Sequence, residues 1–244
     1  MQASRRRGFV PAPRWPPSES RDLISSAHSI RDRGRIPIIA EIKPKALGRA
    51  LLPDEAAYYA RSYAENGACA ISVLTEPTHF MGAGESVAIA RRAGLPVLRK
   101  DFIFDERQLS EVQADLVLLI AALGIDLDRF IETARGLGME PLVEVHSEEE
   151  MEAALATDAR IIGINNRNLS TLEVDLSTFG RLAPLAKEAG VFLVAESGVH
   201  SAADAGRMMA AGADALLVGT ELMGSPQRLA ELNKIGLPSF VRPL

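Results

Sequence analysis

From residue 36 onward, short apolar runs alternate with helix-like stretches, and the alternation repeats eight times. The runs are "IPIIAEIK" (36–43), "ACAISVLT" (68–75), "LPVLRKDF" (95–102), "LVLLIAA" (116–122), "EPLVEVH" (140–146), "RIIGINNR" (160–167), "VFLVAES" (191–197) and "ALLVGT" (215–220). Between them lie amphipathic segments such as "PDEAAYYARSYAENG", with acids in the first turn and glycine just past the end, which read as helices. Strict alternation of strand and helix implies a parallel sheet with right-handed crossovers, and eight units over ~200 residues is the count for a closed barrel. The alternative is a doubly wound open sheet. The expected fold class is therefore α/β, a single (β/α)8 TIM barrel over 36–244, preceded by an arm and extra helix over 1–35. The helix after the third run, "DERQLSEVQ", is unusually short.

A chain of 244 residues, 47% hydrophobic and 24% charged, is compatible with one large α/β domain. The single cysteine, Cys69, excludes an intramolecular disulfide and fits a reducing compartment, so a cytoplasmic location is expected. The histidines His28, His79, His146 and His200 lie far apart, without metal-ligand spacing, and no metal site is expected. Residues 1–35 hold eight arginines against Glu19, Asp22 and Asp32, which leaves this segment at +5 and the remainder at −10, for a net −5. Arg5 to Arg7 raise the alternatives of a nucleic-acid arm or a transit peptide. The rest of the chain is acidic and no apolar stretch follows the arginines, so a solvated extension carrying Trp15 is expected, with no nucleic-acid partner. No run approaches the ~18 apolar residues of a membrane helix, so no membrane partner is expected either.

In such a barrel the working face lies at the C-terminal ends of the strands. Positions i and i+2 of a strand point the same way, so Glu41 with Lys43, Lys100 with Phe102, Glu144 with His146, and Asn165 with Arg167 could each aim inward together. Ionisable groups crowded on an apolar mouth must pair, and acids and lysines from different strands are expected to meet there. Partial desolvation would lower the pKa of a lysine toward use as a general acid, and an apolar wall would raise that of a glutamate. The last two runs end in "AESGVHS" and "LLVGTELM", each placing glycine beside a hydroxyl residue, where the loops after strands 7 and 8 usually cradle phosphate. Ser197, Gly198, Gly219 and Thr220 are the expected phosphate binders. No GxxxxGK[ST] occurs, and "MGAGES" lacks the third glycine of a dinucleotide motif. Cys69 reads as core, and His146 as either a proton shuttle or a partner of Glu144.

The segments "IIAEIK", "GACAISVLTE", "PVLRKDFI", "GMEPLVEVH", "IIGINNRNLSTLEVDL", "VAESGV" and "LLVGTELM" together resemble the indole-3-glycerol phosphate synthase family, across residues 38 to 223. The resemblance implies a small phosphorylated substrate, 1-(2-carboxyphenylamino)-1-deoxyribulose 5-phosphate. It loses carbon dioxide and water to give indole-3-glycerol phosphate in tryptophan biosynthesis, without metal or organic cofactor. Lys100 matches the family's general acid, and Glu144, Glu41 and Lys43 its other acidic and basic positions, with Lys43 also meeting the substrate carboxylate. Asn165 and Arg167 match residues that position substrate and brace the glutamates. Phe102, Leu118 and Leu169 match an apolar pocket for the aromatic ring, and Glu196 matches a supporting acid. The extra N-terminal helix is implied to cover the site, and a monomer is compatible with the chain.

Two departures stand out. After the first strand the family reads E-x-K-x-x-S-P-S, whereas here Ala46, Leu47 and Gly48 replace Ser-Pro-Ser, leaving Lys45 or Arg49 to substitute with a charge. The stretch between "RKDF" and "VLLI" is also shorter by about three residues, on the outer ring where packing rather than chemistry is at stake.

Overall fold

The structure, a computed structural model, describes residues 20–233. The basic arm with Arg5 to Arg7 and Trp15 lies outside the described residues. Eight strands, β1 (Ile38–Ile42), β2 (Ala70–Leu74), β3 (Val97–Lys100), β4 (Leu116–Ile120), β5 (Glu140–Val145), β6 (Ile161–Asn165), β7 (Phe192–Glu196) and β8 (Ala215–Val218), form a closed parallel ring in chain order, with β8 pairing back to β1. The helices are α1 (Leu23–Arg31), α2 (Pro53–Glu65), α3 (Glu85–Arg91), α4 (Glu106–Leu109), α5 (Leu127–Gly136), α6 (Glu148–Leu155), α7 (Ser177–Lys187), α8 (Ala202–Ala210) and α9 (Arg228–Asn233). Each apolar run of the sequence contains one strand, and the closed ring excludes the open-sheet alternative.

Period-two alternation divides the core in two. Outward residues such as Ile38, Ala40, Val97, Val143, Ile162 and Leu193 pack beneath the helices. Inward residues fill the ring in layers of four drawn from alternate strands. Ile39, Leu98, Leu142 and Val194, from β1, β3, β5 and β7, are one such apolar set. Two residues further along the same strands stand Glu41, Lys100, Glu144 and Glu196. The functional end of the barrel therefore begins where an apolar layer gives way to a charged one.

Helix α1 does not cover that end. Its stripe of Leu23, Ala27 and Ile30 joins the ring interior with Cys69, Ala70 and Leu116, at the N-terminal ends of the strands. Ser26 Oγ donates to the Cys69 carbonyl at 2.5 Å, the Arg21 amide donates to Asp115 at 3.0 Å, and Arg31 pairs with Asp214 at 3.3 Å. Cys69, Asp115 and Asp214 each directly precede a strand, so the expectation of a helix over the site is corrected: α1 closes the opposite mouth. The reason is burial, because an apolar stripe of this spacing needs a cover and the open floor of the ring supplies one. Cys69 is fully buried there, and burial pushes its thiol up to about 12, which fits its reading as core.

Helix α4 is a single turn of four residues, as short as its sequence indicates. Buried Gln108 holds it: its Oε1 accepts from the amides of Phe104 (2.7 Å) and Asp105 (3.0 Å), and its Nε2 donates to the Phe102 carbonyl (3.1 Å). The loop that carries Phe102 is thus tied down by one side chain.

Candidate active site

At the C-terminal mouth, Lys100 Nζ lies 2.5 Å from Glu196 Oε2, 3.7 Å from Glu144 Oε2 and 3.8 Å from Glu41 Oε2. Four different strands bring these groups together, and the Lys100 side chain keeps 17% exposure toward the mouth while Glu196 has none. Burial alone would push the Lys100 ammonium down, but Glu196, Glu144 and Glu41 outweigh it and raise its pKa. The expected lowering of a lysine pKa is therefore corrected. Among the described residues, the charges recorded beside Lys100 are three carboxylates and no second cation.

The carboxylates themselves diverge. Burial raises Glu196 to about 7, an effect that neighbouring Glu144 adds to and the Lys100 ammonium opposes. Burial also presses Glu144 upward, yet Lys100, His146 and Asn165 together hold it at about 2. Asn165 Nδ2 donates to Glu144 Oε1 at 3.1 Å, and His146 Nε2 stands 3.2 Å from the same oxygen. Neighbouring carboxylates of one site thus differ in proton affinity, Glu144 being the one held ionised.

Space for these groups comes from two glycines. A Cβ on Gly163, the inward residue of β6, would lie 2.2 Å from Glu196 Oε1, and one on Gly219 would lie 2.5 Å from Glu41 Oε1. Any side chain at either position would evict a carboxylate.

Beside the charged layer, Phe102 packs on Phe80 with ring centroids 5.9 Å apart, and on Phe104 at 6.4 Å. Leu118 lies buried inside the ring on β4, whereas Leu169 stands exposed on the loop after β6. Phe80 went unmarked in the sequence, where "THF" follows a strand like any loop aromatic. Its loop is shaped by buried Glu76, which accepts from the amides of Thr78 (3.0 Å), His79 (2.6 Å) and Phe80 (3.2 Å). Lys45 Nζ sits 5.5 Å over the Phe80 ring, while Arg49 forks onto Glu55 at 2.8 and 2.5 Å. Of the two charges offered in place of the lost serine, Lys45 faces the aromatic pocket and Arg49 is engaged elsewhere.

The remaining candidates lie around the rim. Lys43 Nζ donates to Thr220 Oγ1 at 3.4 Å, which places this lysine beside the loop after β8. Arg167 turns into its own loop, donating to the Leu172 carbonyl at 2.7 Å rather than bracing a glutamate, while its amide donates to Asn165 Oδ1 at 3.0 Å. Ser197 and Gly198 take successive positive φ values of 62° and 85°, an uncommon backbone for serine. The loops after β7 and β8 are joined by His200 Nδ1 and Glu221 Oε1, 2.9 Å apart. Asn166, unmarked in the sequence, donates to the carbonyls of Glu196 and Ser197, each at 3.1 Å, and buttresses the first of those loops.

The chain is similar to known proteins at two levels, fold and family. A mandelate oxidase structure with (S)-2-phenylpropionate superposes with a TM-score of 0.59 at 15% identity, covering 92% of this chain and 78% of that one, which shows the fold. The indole-3-glycerol phosphate synthase of Halobacterium salinarum is 48% identical over 231 residues, 93% of this chain and 91% of that protein. That of Carboxydothermus hydrogenoformans is 44% identical over 205 residues, 80% and 76% of the two chains. The family model for indole-3-glycerol phosphate synthase matches residues 16–235. With nearly the whole barrel matched, the chain belongs to the indole-3-glycerol phosphate synthase family.

Proposed function

We infer that the chain closes the indole ring of 1-(2-carboxyphenylamino)-1-deoxyribulose 5-phosphate, releasing carbon dioxide and water to give indole-3-glycerol phosphate. The observation that carries this reading is one ammonium, Lys100, held within 4 Å of three carboxylates at the mouth. As the anilide carbon attacks the ketone carbon, the carbonyl electrons move onto oxygen, and Lys100 supplies the proton. An alkoxide is far more basic than an amine, so an ammonium kept charged by its neighbours is a competent donor to it. The carbon–carboxylate bond then breaks, its electron pair restores aromaticity, and carbon dioxide leaves. Departure of the hydroxyl as water consumes a second proton, which Lys43 supplies, and Glu144, held ionised, takes the proton from the adjacent carbon, whose C–H electron pair forms the new double bond.

Ser197, Gly198, Gly219 and Thr220 cradle the phosphate in this reading, with Lys43 close enough to Thr220 to share its charge. Phe102 and Phe80 face the aromatic ring, with Leu118 below and Leu169 above. Asn165 orients Glu144, Arg167 holds the rim loop, and Glu41 and Glu196 set the charge of Lys100. The barrel over 36–244 acts as one catalytic unit, a monomer in the cytoplasm that needs no cofactor.

The test is direct: incubate the protein with this substrate in EDTA and follow indole fluorescence. Lys100→Ala is expected to lower turnover by ~100-fold or more while leaving inorganic phosphate affinity unchanged. Wild-type turnover in that variant removes Lys100 from the mechanism. Tight substrate binding without turnover in the wild-type chain would instead mean that the altered first loop has left a binding protein.

A further inference from the structure

His146 stands one residue beyond Val145, the end of β5; its ring is held by a hydrogen bond on the Nδ1 side and meets Glu144 as a charge contact on the Nε2 side. Nε2 stands 3.2 Å from Glu144 Oε1, and Nδ1 stands 3.0 Å from Glu150 Oε2. Glu150 belongs to the first turn of α6 and is itself anchored: it accepts from the His146 amide at 2.8 Å, and its own amide donates to the capping hydroxyl of Ser147 at 3.2 Å. The ring is 12% exposed and Glu144 only 2%, whereas Glu150 reaches solvent. An outer carboxylate, an imidazole and an inner carboxylate thus run in line from solvent to the charged layer.

Such a line does two things to its inner member. It restricts the Glu144 side chain, which Asn165 grips at the same oxygen, and it sets a cation against a buried anion. Lys100 does the second from the other side, but Lys100 must give up its proton during the reaction. At that moment the remaining positive charge beside Glu144, among the described residues, is that of His146. We propose that His146, anchored by Glu150, is a positioning residue for the reaction: it aims the Glu144 carboxylate and supplies the charge that persists while Lys100 is spent.

This rests on Glu144 acting as the base. The charged groups facing the ring among the described residues are Glu144 from its own strand and Glu150 from α6, with Lys100 beyond Glu144. Burial presses the imidazole down, but both carboxylates oppose it and its pKa rises to about 9, so the ring is charged at neutral pH. Of the sequence's two readings, proton shuttle or partner of Glu144, a ring already protonated between two acids favours the partner.

The experiment uses Glu150→Gln, which leaves every group at the mouth in place. The His146 ring is titrated by NMR, and kcat and KM are measured across pH 5 to 10 in wild type and variant. Removal of one carboxylate is expected to lower the ring's titration by about one unit and to carry the alkaline limb of kcat down with it, KM staying constant. His146→Gln, which keeps a donor but not the charge, is expected to lose about ten-fold in kcat, less than removal of a general base, and to move the acid limb upward. A Glu150→Gln variant whose ring titration falls while its kcat profile stays put overturns the proposal, as does a His146→Gln variant with wild-type kcat. Full turnover in Glu144→Gln would instead sink the assignment of the base, while the ring titration would still report whether Glu150 anchors His146.

Discussion

Arg99, Lys100 and Asp101 stand side by side in the sequence and lead separate lives in the fold. Lys100 points into the ring; Arg99, fully buried on the other face, reaches Asp101 at 3.1 Å, Glu111 at 3.2 Å and the Gln108 carbonyl at 2.6 Å, and Asp101 accepts from Thr75 at 2.8 Å. Alternation marked Lys100 as inward, but nothing in "RKD" reveals that Arg99 has partners nine and twelve residues on. The same limit hid Asn166, which turns outward to brace a loop while Asn165 turns inward to Glu144. Gly163→Ala tests how tightly this layer is built. The added methyl is expected to displace Glu196 from Lys100 and lower kcat at least ten-fold, with the fold retained by circular dichroism; unchanged kcat would show that the layer relaxes freely. His146 also links stability to pH. Its folded pKa lies above the ordinary 6.5, so its contribution is full below pH 6.5 and is lost as pH rises through about 9. Thermal midpoints measured from pH 6 to 10 should therefore fall more in wild type than in His146→Gln, and parallel curves would contradict the link.

Elements were easier to place than their ends. All eight strands lie within the runs that hydrophobicity marks, because burial on both faces leaves a long apolar signature. Ends differ because a loop residue such as Phe102 continues the apolar pattern, packing on Phe80 and Phe104, after the ladder has stopped. The shortened stretch before β4 was visible by length alone, whereas its support by Gln108 was not, since a glutamine in a helix reads as surface. Gln108→Ala would orphan the amides of Phe104 and Asp105, an expected loss of about 1–3 kcal/mol in chemical denaturation. It should also raise KM more than it lowers kcat, because the loop that loosens carries Phe102, proposed above to contact the substrate's aromatic ring. A KM equal to wild type would detach Phe102 from substrate binding.

Across the whole molecule, floor and mouth are separate. The resemblance to a family placed the extra helix over the site, and the structure of residues 20–233 puts α1 beneath the barrel, because hydrophobic spacing reports that a stripe is buried without saying against what. Leu23→Ala is accordingly expected to cost about 2–5 kcal/mol in stability while leaving kcat and KM of the folded fraction unchanged; a fall in kcat at full folding would reveal coupling through the ring. The layered filling of the ring has a consequence for how the chain is assembled. Glu41 and Lys100 come from the first four strands, Glu144 and Glu196 from the last four, and no stretch of fewer than 150 residues holds all of them. Half a barrel owns half the charges: one acid with the lysine, or two acids alone. The charged layer is thus a property of ring closure itself, absent from either half and complete only when the last strand finds the first.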